Sequence, residues 1–188
     1  MRYQNLGSDC ERALCLASTL REHEKKREKS FINLWYVEIE REKVTIMKIY
    51  FAASIRAGRE DVDTYSKIIE HLKNHGEVLT EHIGDKNISS KGENLPVEEI
   101  HARDLDFLFS SDVVVAEVSN PSLGVGYEIG IAVEHGKKIL CLYRPQEGKL
   151  LSTMLMGCPQ IIVKEYKTIG ELKQIIDDFF NKLGDNQT

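Results

Sequence analysis

Five short apolar runs recur between Met47 and Val163, each followed by a stretch of different periodicity, and that alternation leaves few folds open. The runs are 48–53, 77–80, 112–118, 138–143 and 160–163. Asp112-Val113-Val114-Val115 and Lys138-Ile139-Leu140-Cys141 are nearly unbroken apolar stretches, the pattern of strands buried on both faces. Between the runs, Val62, Tyr65, Ile68, Ile69 and Leu72 mark the inner face of a helix over 61–74 with a stop at Gly76. A second helix over 97–109 carries Ile100, Leu105 and Leu108 inward. A third runs from the Gly124 region to a stop at Gly136, and a short one spans 150–156. A last helix runs to Leu183, capped by Thr168 with Glu171 as its capping-box partner. Strands alternating with helices predict an α/β fold of three layers, a five-stranded parallel sheet with helices on both faces.

The regular pattern covers 47–184. Residues 1–46 read as an N-terminal extension. Ser8 and Glu11 form a capping box there, a charged run follows, and Trp35 is the only Trp of the chain. No catalytic constellation stands out in it, so it is expected to be dispensable or to precede a later start at Met47.

Charge and cysteine content narrow the partners. With 188 residues and a net charge of -5 the chain has no basic stripe to neutralise a nucleic-acid backbone, so no nucleic-acid polymer is expected as partner. A single nucleotide needs only a few local donors and stays open. Cys10, Cys15, Cys141 and Cys158 show no CxxC spacing. No apolar run is long enough for a bilayer and no signal peptide opens the chain, so no membrane partner is expected, and a reducing cytoplasm is. His71, His75 and His135 read as scattered helix-surface positions. Neither a metal nor a cofactor is expected.

Chemistry concentrates at the strand-to-helix crossings. Ala116 to Glu128 joins the third strand to its helix, with Pro121, Gly124 and Gly126 shaping the backbone, Ser122 offering a hydroxyl and Glu128 in the first helical turn. Ligands of open α/β sheets bind at such carboxyl ends, where helix N-termini attract anions. Ser54, Arg56 and Arg59 follow the first strand in the same way. That loop is neither GxGxxG nor a P-loop. A capped helix and solvated arginines are the plain alternatives. Asp104 and Asp106 stand two apart on the second helix and face different ways. One of them would pair with Glu128 as the two carboxylates of glycosidic cleavage, with Tyr50 lining the same mouth.

The segments Tyr50-Phe51-Ala52-Ala53-Ser54-Ile55-Arg56, Leu79-Thr80-Glu81-His82, Asp112 to Val118, Pro121-Ser122-Leu123-Gly124-Val125-Gly126-Tyr127-Glu128 and Leu140-Cys141-Leu142-Tyr143-Arg144-Pro145 closely resemble the 2'-deoxynucleoside 5'-phosphate N-hydrolases, of the nucleoside 2-deoxyribosyltransferase superfamily. The resemblance spans about 47–180 and implies a flavodoxin-like or Rossmann-like fold. It implies an enzyme that cuts the N-glycosidic bond of a deoxynucleoside 5'-monophosphate, giving a free base and 2-deoxyribose 5-phosphate. By position it implies Glu128 as nucleophile, Asp104 as the acid near the base, and Tyr50 close to the sugar. Ser54, Ile55, Arg56, Ser122 and Gly124 fall where the family binds its substrate. Ser152, from the other subunit of a homodimer with shared active sites, would add a phosphate donor. His82 and Met154 would line the nucleotide pocket. Ala53 and Ala57 depart from the Gly common in the family. A deoxyribosyltransferase and a non-catalytic nucleotide sensor are the competing readings.

Overall fold

The apolar runs pair into one parallel sheet of five strands: β1 (Lys48–Ala52), β2 (Glu77–Val78), β3 (Val113–Glu117), β4 (Lys138–Tyr143) and β5 (Ile161–Glu165). Their order is β2-β1-β3-β4-β5. The chain direction across the sheet reverses between β1 and β3, the flavodoxin-like switch point at which ligands bind. The computed structural model describes residues 46–55, 61–88 and 92–185. The expectations for Ser8, Glu11 and Trp35, and for Arg56 and Arg59 of the first turn, therefore lie outside the described residues.

Alternation along β1 and β3 sorts the core into two layers. Ile49, Phe51, Val113 and Val115 face α1 (Val62–Leu72) and α5 (Ile169–Asp185), packing on Tyr65, Ile68, Leu72, Leu172 and Ile176. Tyr50, Ala52, Val114 and Ala116 face the other way, towards α2 (Val97–Ser110) and α3 (Leu123–Glu134), against Leu108, Val125, Ile129 and Ala132. Ile49 stands opposite Val113 and Val114 opposite Ile139, so the register keeps each layer continuous across three strands. The predicted helices on both faces are present.

Several boundaries differ from the sequence expectation. The second strand ends at Val78, not Thr80, because a side chain takes over from the ladder. Phe51 N–H donates to Thr80 Oγ1 at 2.9 Å, and that hydroxyl donates back to Phe51 O at 2.7 Å. After β2 the chain makes a 3-10 turn, Glu81–Gly84. Along α2 only Leu108 is fully buried; Leu105 and Ile100 are half-buried, since Arg103 and Asp104 share that helix's inner side. The short helix, α4, starts at Thr153 (Thr153–Met156), because Ser152 Oγ accepts from Met154 N–H and caps it. At α5, Thr168 Oγ1 accepts from Glu171 N–H at 3.2 Å, while the Glu171 carboxylate reaches Lys167 N–H, one residue before the cap. Gly76 does more than stop a helix. A Cβ there would fall 2.1 Å from the Met47 carbonyl oxygen, so the turn into β2 admits no side chain.

Thr80 joins the turn to β1 through two backbone groups that are otherwise buried. Thr80→Val should lower stability by about 2 kcal/mol, as two peptide groups lose their partner together. A urea titration checks this, and an unchanged midpoint would mean that water replaces the hydroxyl.

Candidate active site

The switch point brings three expected groups together. Tyr50 lies in the middle of β1 and is 1 % exposed. Its hydroxyl is hydrogen-bonded to the carboxyl of Glu128 on α3. Asp104, on α2, is close enough that its charge acts on both. Asp106 is exposed, so of the two aspartates it is Asp104 that joins Glu128.

Glu128 sits in the second turn of α3, not the first as the sequence reading had it. The helix begins already at Leu123, because Ser122 Oγ accepts from Val125 N–H and caps it. Glu128 is therefore no macrodipole partner; its carboxyl points to the sheet. Burial pushes that carboxyl up to about 7, the charge of Asp104 adds to the rise, and the Tyr50 hydrogen bond opposes it. Burial, with the charge of Glu128, raises Tyr50 far above its ordinary value, so its phenol keeps its proton and donates.

Asp104 has a partner that the sequence reading left out. Arg103 Nε and Nη2 donate to Asp104 Oδ1 at 3.0 and 2.8 Å. The same guanidinium makes a two-point pair with Glu93, 2.7 Å on each side, the planar fork that arginine forms with carboxylates. His82, in the 3-10 turn, meets Arg103 Nη2 at 3.2 Å. Burial and the neighbouring guanidinium hold its imidazole below the ordinary value, so it is neutral at pH 7. His82 thus joins Asp104 through Arg103.

The expected phosphate groups lie on the two crossings. Ser54 is buried just past β1. Ile55 packs its side chain against the layer beneath α1 and α5, leaving its backbone as the part able to meet a ligand. Ser122 and Gly124 begin α3 beside Glu128's helix face, and Gly124 is exposed. Arg56 is outside the described residues. Ser152 and Met154 are exposed at the start of α4, Met154 at 80 %.

Beneath the crossings lies a polar network that sequence reasoning missed. Glu117 ends β3 on the α1 and α5 side and is 1 % exposed. Its Oε1 accepts from Ser119 Oγ and from Tyr166 OH, the latter at 2.9 Å. Ser119 Oγ also accepts from Arg144 N–H at 2.7 Å. Arg144 pairs with Asp61, which takes Asn120 Nδ2 at 2.7 Å. Burial raises the Glu117 carboxyl. The signal was an acid at the end of an apolar run, because a buried Glu is rare unless something holds it. A groove of about 650 Å³ between α1 and the 3-10 turn, lined by Asp63, Lys67, Glu70 and Lys73 among others, holds none of the candidate catalytic groups. That groove is charged surface away from the switch point.

Residues 49–172 match the family model described as nucleoside 2-deoxyribosyltransferase. A 5-hydroxymethyl-dUMP N-hydrolase of Danio rerio is 48% identical over 144 residues, 74% of this chain and 100% of that protein. The protein of the same name from Homo sapiens is 45% identical over 137 residues, 70% of this chain and 78% of its own. Among solved structures, a CMP N-glycosidase of Clostridium botulinum superposes with a TM-score of 0.50 at 20% identity, covering 70% of this chain and 98% of that one. At that identity the last likeness speaks for the fold.

The raised Glu128 carboxyl has a cost in stability whose sign follows from linkage. The folded state keeps the proton up to about pH 7, while an unfolded Glu loses it near 4.5, so stability falls as pH rises between the two. Glu128→Gln removes that loss. The variant should melt higher than the parent at pH 8, by up to about 3 kcal/mol, and match it below pH 4.5. Equal melting at both pH values would show that Glu128 ionises as it does in water.

Proposed function

The chain belongs to the nucleoside 2-deoxyribosyltransferase family, and from that premise we propose that it hydrolyses the N-glycosidic bond of 2'-deoxynucleoside 5'-monophosphates, releasing the base and 2-deoxyribose 5-phosphate. Its relatives named for 5-hydroxymethyl-dUMP make that nucleotide the first substrate to test. The observation that carries the reading is the desolvated Glu128 carboxyl, held by Tyr50 and facing Asp104 at the mouth of the sheet.

The chemistry follows from that arrangement. A sugar without a 2'-hydroxyl develops positive charge at its anomeric carbon comparatively easily. Ionised Glu128 attacks that carbon, the bond to the base breaks, and the electron pair leaves with the base. Asp104 supplies the proton that makes the base a better leaving group. Water then adds at the same carbon, passing its proton to the Asp104 carboxylate, and the ester bond to Glu128 breaks with its electron pair returning to that carboxylate, which frees the sugar phosphate. Tyr50 orients the nucleophile throughout. One observation favours a second role for Asp104. Its salt bridge with Arg103 suits an ionised group that orients the sugar, in which case the proton reaches the base from water.

Ser54, Ser122, the Gly124 backbone and Arg56 are the phosphate donors in this reading, and the backbone at Ile55 lies among them. His82 lines the base side. The second copy of a homodimer contributes Ser152 and Met154. The support for that copy is the apolar surface left open beside the site: Leu123 is 97 %, Leu150 91 % and Met154 80 % exposed. The reading needs neither cofactor nor metal. A cytoplasmic setting is part of it. Cys141, fully buried with its thiol pushed up to about 12 by burial, is a core residue rather than a reactive one. No described helix is long and apolar enough to cross a membrane.

Free base should appear from a deoxynucleoside monophosphate and fall by at least about two orders of magnitude in Glu128→Gln. The acid limb of the pH profile should sit near 7, where Glu128 ionises; with Asp104 in its second, ionised role, Asp104→Asn removes the charge that helps raise Glu128 and moves that limb to lower pH. Equal cleavage of nucleotide and dephosphorylated nucleoside would instead favour the transferase, since charge-assisted phosphate contacts are worth ~1.5–3 kcal/mol each. For the shared site, Glu128→Gln mixed with a Ser152→Ala, Met154→Ala double variant should regain activity beyond the sum of the two. Strict additivity after confirmed subunit exchange would place each whole site in one chain.

A further inference from the structure

His71 and His75 are not the scattered surface positions that the sequence reading took them for. His71 stands in the last turn of α1, and His75 lies four residues on, in the turn that follows it, where His75 N–H donates to Leu72 O at 2.9 Å. Asp177 comes from α5 to meet them. His71 Nε2 and His75 Nε2 each lie 2.8 Å from the same oxygen, Asp177 Oδ1. The three ligand atoms all lie within 4.8 Å of one another.

We propose that His71, His75 and Asp177 bind one divalent transition-metal ion of the zinc class, at the end of the sheet opposite the catalytic carboxylates. Two imidazoles and one carboxylate are a donor set that suits zinc, cobalt or nickel, whereas magnesium and calcium take oxygen ligands. In a tetrahedral site with bonds of about 2.0–2.1 Å, neighbouring ligand atoms sit about 3.3 Å apart. The present spacing is tighter, so the carboxylate needs to withdraw from each ring by roughly half an ångström to admit the ion.

The surroundings hold the rings in place. His75 stacks on Phe180 with centroids 4.5 Å apart and planes at 12°. His71 meets His75 edge-on at 5.7 Å. The histidine side chains are 13% and 18% exposed and that of Asp177 38% exposed. The imidazoles are therefore shielded while the carboxylate edge is open to water, which fills the remaining coordination positions.

The topology says what such an ion does. α1 descends from the phosphate turn after β1 to the amino ends of the strands, where Gly76 leads into β2. An ion at its last turn ties it to α5, the final helix. It braces the scaffold and stays clear of the reaction. The assignment does not rest on the hydrolase reading.

The test uses the full chain, stripped with a chelator and dialysed. Zn²⁺ titrated by calorimetry should bind as one ion per chain in the tightest class and raise the melting temperature. His71→Gln and His75→Gln should each weaken binding by more than the ~10–100-fold that losing an outer-shell partner costs, and abolish the thermal shift. Circular dichroism spectra of both variants should match the parent's and show that they fold. In the unaltered chain, ¹⁵N spectra of the imidazoles should show two histidines shifting together on Zn²⁺ addition, which decides the matter even where a variant fails to fold. No binding by the parent, binding unchanged in folded variants, or a shift of other histidines would overturn the proposal and leave a hydrogen-bonded pair on a shared carboxylate.

Discussion

Pairing β1 directly with β3 is the constraint from which the site follows. It sets Tyr50 opposite Val114 and points both to the α2 and α3 side, so the one phenol in the middle of β1 lies under those two helices. A shift of one residue would send Tyr50 to the other layer and put Phe51 in its place. Glu128 then has somewhere to turn: its helix lies over a hydroxyl instead of a purely apolar sheet. The cost of burying its carboxyl is partly offset by that hydrogen bond, and what remains appears as the raised proton affinity. Glu128, Tyr50 and Asp104 come from three elements, and only the reversal of chain direction at this edge lets them meet.

The two faces of the sheet carry different kinds of polar burial. On the α2 and α3 side the acids are few and face the mouth. On the other side, Glu117, Ser119, Asp61, Asn120, Arg144 and Tyr166 form a connected set that holds the two crossings in shape. Glu117 Oε2 has no hydrogen-bond partner among the described residues, and burial raises that carboxyl. Such a network is costly to leave half-satisfied, and it fixes the backbone between Ser119 and Ser122 more firmly than apolar packing would.

The strands were legible because β-branched apolar runs have few other uses, and β4 falls where the pattern placed it, at Lys138–Tyr143. The two-residue spacing allowed only one of Asp104 and Asp106 to face Glu128, the family resemblance named Asp104, and Asp106 is exposed. Glu128's turn was misplaced because Pro121, Gly124 and Gly126 read as a crossing that runs up to it, while the cap at Ser122 starts the helix at Leu123 and takes both glycines into its first turn. β2 was drawn too long because a threonine hydroxyl can stand in for a rung of the ladder, and side-chain substitution for backbone leaves no periodic trace. Arg103's link to Glu93, and Asp177's approach to two histidines, join residues 10 and over 100 positions apart. No local pattern records such pairs.

The brevity of β2 bears on how copies of this protein can meet. An edge strand offers its free peptide groups to any neighbouring strand, and long flat edges invite sheets to grow across molecules. Here that edge is two residues long, and the next peptide group inward is already taken by Thr80. The opposite edge, β5, carries Lys164 and Glu165 at its end, charges that a docking strand would have to match. Sheet-to-sheet fusion is discouraged at both borders, so association between copies is left to the helical surfaces.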